Sequence, residues 1–148
     1  MIDVRELRIG NIFKTSDCEN FRVGEIYKKE DGFSFVENSV YCNGSLLYGD
    51  VEDLQPIPLT EELLARCGMK ECDDACFIRY VYRNGKFKMN IMICDLKKYI
   101  LSINDIENRC QICNIEVKYL HQLQNIYYDV TGKELEVLYE QEDGERRG

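Results

Sequence analysis

The chain is 148 residues long, enough for one ordinary domain or two very small ones. Its 45% apolar and 31% charged residues are the balance of a folded chain and exclude a disordered one. A net charge of −8 works against broad contact with nucleic acid, because phosphates need a basic surface.

No apolar run approaches the length of a membrane span, and the first residues (MIDVRELRIGN) lack a signal-peptide layout. The expectation is a cytoplasmic protein without a membrane partner. Eight cysteines would mark a disulfide scaffold in a secreted chain, but in a reducing compartment they are expected to be free thiols. The acidity is concentrated early. Residues 1–58 hold 11 acidic against 6 basic side chains, whereas residues 59–139 hold 12 against 11.

Short strands broken by turn residues fill the first third. They are expected at 7–13, with Gly10-Asn11 bending the first, and at 21–28, 33–36, 40–42 and 45–48. Closely spaced strands of this kind predict a small bent sheet or barrel of the Src-homology type over residues 1–58. The prolines of Gln55-Pro56-Ile57-Pro58 keep the next segment extended. Thr60 is then placed to cap a helix over 61–67 that stops at Gly68.

A hairpin follows. Strands at 75–82 and 87–94 flank Asn84-Gly85, which predicts a type I′ turn with Tyr82 opposite Phe87 and Tyr80 opposite Met89. That register puts Ile78, Tyr80, Tyr82, Phe87, Met89 and Ile91 on a core face. Arg79, Val81, Arg83, Lys86, Lys88 and Asn90 fall on a wet one. A third strand is expected at 98–103, a loop at 104–113 and a short strand at 115–117.

Leu120, Leu123, Tyr127 and Val130 then recur at helical spacing, and Gly132 ends the helix. The simplest packing lays this stripe, with helix 61–67, over the apolar face of the hairpin sheet. The fold class expected is therefore α+β. A barrel-like subdomain (1–58) packs on an α-β-β-β-(β)-α subdomain (59–139), and a disordered tail (140–148) follows.

Nothing in the sequence argues for catalysis or a cofactor. There is no phosphate loop, no metalloprotease motif, and no serine or cysteine placed beside the single histidine. His121, Gln124, Asn125 and Tyr128 fall on the helix face away from the stripe, an amide-rich surface that suits a protein partner. Arg79, Arg83, Lys86 and Lys88, with Lys97 and Lys98 nearby, form a local basic patch suited to a phosphate or carboxylate. Cys72 and Cys76 with Cys110 and Cys113 have spacings from which zinc ligands are sometimes built, but no glycine or aromatic marks either pair as a zinc knuckle. No metal is the expectation.

Three stretches read together: Glu6-Leu7-Arg8-Ile9-Gly10-Asn11, then Pro56-Ile57-Pro58-Leu59-Thr60-Glu61-Glu62, then Lys118-Tyr119-Leu120-His121-Gln122-Leu123-Gln124-Asn125 with Thr131-Gly132-Lys133-Glu134-Leu135. In this order they resemble a family of small uncharacterised proteins from phages and mobile elements of Bacteroidetes. The resemblance implies a context and no mechanism. The expectation is a non-catalytic binding protein of a mobile element that engages a protein partner. The alternatives are a binder or sponge for an anionic nucleotide-like molecule, and an acidic mimic of nucleic acid.

Overall fold

The computed structural model describes residues 4–16, 19–28, 34–38, 48–74, 77–94 and 97–138. The strand expected at 40–42, most of the one at 45–48, and the tail 140–148 lie outside them. The protein is α+β with two antiparallel sheets, and the chain divides into two compact units. Residues 1–58 and 119–129 form the first, and residues 59–118 and 130–148 the second.

The first unit is built on a four-stranded meander, β1 (Ile12–Phe13), β2 (Phe21–Lys28), β3 (Ser34–Asn38) and β4 (Tyr48–Asp50), in sequential order. Ladder pairing slips at Gly24, between Val23 and Glu25, so β2 is bulged where it passes from β1 to β3. A single 3₁₀ turn (Val51–Asp53) follows β4, and Gln55 then bridges to Lys14 beside β1. Among the described residues no strand pairing closes this sheet, so of the bent sheet or barrel expected from the sequence they form an open sheet. Phe13, Phe21, Val23, Val36, Val51 and Leu54 make its core, with Leu7 packed at the margin.

The helix α2 (Leu120–Thr131) belongs almost entirely to this first unit, not to the hairpin sheet as the sequence suggests. Its start is held by the Leu120 amide donating to the Ile57 carbonyl at 2.9 Å, and by a bridge between Pro58 and Tyr119. Gly132, at φ +75, stops it as expected.

In the second unit Thr60 caps α1 (Glu61–Arg66), its Oγ1 accepting from the Leu63 amide at 3.1 Å. Gly68 takes φ +84 just beyond the helix. The Gly68 amide donates to Ala65 and the Met69 amide to Leu64, the paired bonds of a Schellman stop.

Five strands follow in sequential order: β5 (Lys70–Asp74), β6 (Phe77–Asn84), β7 (Phe87–Cys94), β8 (Lys98–Asp105) and β9 (Cys110–Val117). Tyr80, Met89, Ile91, Leu101, Ile103 and Val117 are buried in this unit, as are Leu63, Leu64 and Cys67 near α1. The Tyr80 hydroxyl donates to Glu61 of α1 at 3.2 Å, which ties the helix to the core face of the sheet. After α2 the chain returns, with Leu135 and Val137 buried and the Leu138 amide donating to the Arg66 carbonyl.

The hairpin register differs from the expected one. Asn84 pairs with Phe87, so the two-residue turn is Gly85-Lys86, and Tyr80 lies opposite Ile91. Gly85 holds φ +59 at the first central position, the pattern of a II′ turn in place of the I′ turn at Asn84-Gly85. The slide is two residues, which matches the pleat, so the division into faces survives.

Candidate functional site

The four residues expected to present a polar helix face are mostly turned inward. A helix advances about 100° per residue, which puts Gln124 only about 40° from Leu120 on the helical wheel. The buried stripe is wider than Leu120, Leu123 and Tyr127 alone, and takes in Gln124 (1% exposed) and His121 (2% exposed). The expectation that His121 and Gln124 lie on an exposed helix face is therefore corrected.

The amide of Gln124 acts as a peptide group would. Its Nε2 donates to the Gly10 carbonyl at 3.1 Å, and its Oε1 accepts from the Ile12 amide at 3.0 Å. These are the two groups that a neighbouring strand would pair on either side of Asn11. Asn125 works beside it. Its Nδ2 donates to the Glu6 carbonyl at 2.7 Å, while its Oδ1 accepts from Asn11 Nδ2 at 2.8 Å and Arg8 Nε at 3.0 Å. Asn11 is fully buried, and its own Oδ1 accepts from the Arg8 amide. Arg8 then lies over the Tyr128 ring, 4.4 Å from its centre.

Residues 6–12 and the helix residues Gln124 and Asn125 are thus halves of one hydrogen-bonded joint inside the first unit. Of the four residues only Tyr128 keeps substantial exposure, at 39%.

His121 sits between Phe13, at 5.0 Å between ring centres, and Tyr119, at 6.0 Å. Its Nε2 is 3.5 Å from Glu6 Oε1. Burial pushes its pKa below the usual histidine value, and the Glu6 carboxylate offsets this only in part. A depressed histidine contributes stability that is complete above its unfolded pKa near 6.5 and is lost as pH falls towards the folded value. We therefore expect the urea midpoint to decline from pH 7.5 to pH 5.5. A His121→Phe variant should show a flatter decline over that window, and an equal slope in both proteins would exclude His121 as its source.

The basic residues fare differently. Lys86 lies in the hairpin turn and is engaged, its Nζ 3.6 Å from Asp105 Oδ2 and over the Phe87 ring. Asp105 itself accepts from the Asn108 amide and side chain, which holds its carboxyl below the ordinary range.

Arg79, Arg83 and Lys88 share the sheet face opposite the core. Arg83 is directly across from Lys88, and Lys70 joins them through its pairing with Val81. Lys98 falls on the same face further along β8. On the three central strands β6, β7 and β8 this face carries no acidic residue. Its middle row runs Val81, Asn90, Ser102 and Asn114 across four strands. Asn90 and Ser102 are each only 9% exposed, and the Asn90 Oδ1 has no hydrogen-bond partner.

The cysteines do not converge. Cys72 is on β5 and Cys110 and Cys113 are on β9, the two opposite edges of a five-stranded sheet. Four strand spacings separate them, roughly 19 Å, which no tetrahedral zinc site spans. Cys76 lies outside the described residues. The five described cysteines are free thiols, and burial pushes that of Cys67 up to about 12, consistent with its use as an apolar residue.

Among the described residues no helix is long and apolar enough to cross a membrane, and no three histidine, cysteine or acidic side chains cluster as a metal site. Comparison with known proteins finds no matching family model, no matching curated relative and no matching solved structure.

Proposed function

We propose that the protein is a non-catalytic, cytoplasmic binding protein that takes a small anionic ligand on the cationic face of its five-stranded sheet. The observation that carries this reading is the placement of Arg83 directly opposite Lys88 on a face to which β6, β7 and β8 contribute no acidic residue. Like charges facing each other across two strands destabilise a sheet, and a bound anion would offset that cost. In a chain of net charge −8, such a concentration of cations runs against the average.

Beside the cations lies the Asn90–Ser102–Asn114 row, whose amides and hydroxyl can both donate and accept. A phosphate at Arg83 and Lys88 with a polar ring system over that row matches the layout of a nucleotide. The mobile-element setting implied by the resemblance suits a sponge for such a molecule. In the first unit, the strand order, the bulge in β2, the 3₁₀ turn after β4 and the return to Lys14 support an Src-homology-type arrangement left open.

Titration calorimetry against a panel of nucleoside phosphates tests the proposal. Arg83→Glu and Lys88→Glu should each weaken binding by about tenfold or more, the scale of one charge-assisted hydrogen bond. Lys86→Ala should leave it unchanged, because Lys86 is committed to Asp105. No heat with any nucleotide, or equal loss in all three variants, would overturn the reading.

A further inference from the structure

β9 holds both of its cysteines on one face, although they are three apart in sequence. In a regular strand, residues at that spacing point to opposite sides of the sheet. Here Cys110 pairs with Asp105 and Cys113 with Ile103, two positions apart on β8, because Ile112 is an extra residue that the ladder skips. Both cysteines therefore lie on the face that Leu101 and Ile103 share. β9 pairs only with β8 among the described residues, so no further strand crowds them. Cys110 is exposed, Cys113 is half-buried, and both are free thiols.

Spacing decides what such a pair can do. Two strand steps separate the Cα atoms by about 7 Å, with the Cβ atoms side by side. A disulfide needs Cβ atoms about 4 Å apart, so the pair cannot oxidise to one without moving the backbone. Rotation about χ1 can bring each sulfur roughly 1–1.5 Å towards the other, which leaves about 4–5 Å between them. A metal ion bonded to two thiolates at about 2.3 Å each fills that gap in a straight line. Zinc is poorly served, since it takes a tetrahedron and no third histidine, cysteine or carboxylate joins the pair among the described residues.

We propose that Cys110 and Cys113 form a two-coordinate site for a soft monovalent metal ion, the cuprous ion. Thiolates select ions of that softness over harder ones. On binding, the ion takes the place of two thiol protons, which leave to solvent, and no electron is transferred. Burial raises the Cys113 thiol, while the backbone amide of Ile103, which donates to its sulfur, works the other way and favours the thiolate. An amide donor of that kind also orients a ligating sulfur.

Competition for cuprous ion between the full reduced chain and a chromogenic cuprous chelator, in the absence of oxygen, tests this. The wild type should retain one equivalent that Cys110→Ser and Cys113→Ser each lose. Cys72→Ser and Cys94→Ser should keep it, because those thiols lie on other strands.

Moving one thiol across the sheet is the sharper variant. Cys110→Ser combined with Gln111→Cys keeps two thiols close in sequence but puts them on opposite faces, since Gln111 pairs with Asn104. It should lose the equivalent too, whereas a pair held without the strand geometry would keep it. X-ray absorption on the loaded wild type should show two sulfur neighbours. A wild type that yields all its copper to the chelator, copper retained by either single serine variant or by the moved pair, or a third ligand on the metal would each overturn the proposal.

Discussion

Replacing Gln124 by alanine is expected to cost roughly 2–4 kcal/mol, because it strands the Gly10 carbonyl and the Ile12 amide in a site from which water is excluded. For a chain of this size that is a fall of roughly 5–12 °C in Tm. Gln124→Glu sharpens the test. The carboxylate keeps the shape and can still accept from Ile12, but it can no longer donate to Gly10, and it buries a charge. At neutral pH it should cost at least as much as alanine.

On acidification the Gln124→Glu protein should regain ground against the wild type, since a protonated carboxyl again offers one donor and one acceptor. Urea unfolding at pH 7.5 and pH 4.5 reads both effects. A Gln124→Ala protein as stable as wild type would mean that the joint between residues 6–11 and α2 contributes nothing. Asn125→Ala should cost less. Its residue is half-buried, so water can replace part of what the side chain supplies.

This joint also marks the limit of what is legible in the sequence. The cap at Thr60, the stops at Gly68 and Gly132, and the hairpin itself follow from local chemistry acting over three or four residues. The faces of the hairpin are legible despite the different turn, because a slide of two leaves a period-two pattern intact. β9 reads mostly as loop from its residues alone. Its glutamine, asparagine and cysteines have little strand propensity, and only pairing with β8 makes it a strand.

Residues 120–131 are legible as a helix, but their apolar stripe points to the wrong unit. Such a stripe fits any core. What selects the first unit is the amide pairing to Gly10, Ile12 and Glu6, which hydrophobic periodicity does not register. The wheel position of Gln124, beside Leu120, is the one available signal. For the candidate site, alternation along the strands groups Arg79, Arg83 and Lys88 correctly. It cannot show that Lys86 is spent on Asp105, because that contact depends on the turn geometry.

The division of labour between the two faces of the second sheet gives the other large effect. Leu101 and Ser102 are neighbours on β8 and point to opposite faces, so they separate core from surface within one dipeptide. Leu101 is fully buried at the centre of the sheet, between Ile91 on β7 and Ile115 on β9. Leu101→Ala should cost about 2–5 kcal/mol, the transfer term plus that of the cavity it leaves.

Ser102→Ala should cost under about 1 kcal/mol, since it removes one hydroxyl and no packing volume. If the face bearing Ser102 is the ligand surface, the order reverses when binding is measured. Ser102→Ala and Arg83→Glu should then weaken nucleotide binding without a large loss of stability, Arg83→Glu because it replaces a like-charge pair with an opposite one across from Lys88. Leu101→Ala should lower stability while its remaining folded fraction binds as the wild type does. Denaturation midpoints and binding isotherms on the same three variants check this, and a Ser102→Ala loss of stability matching that of Leu101→Ala would assign both faces to the core.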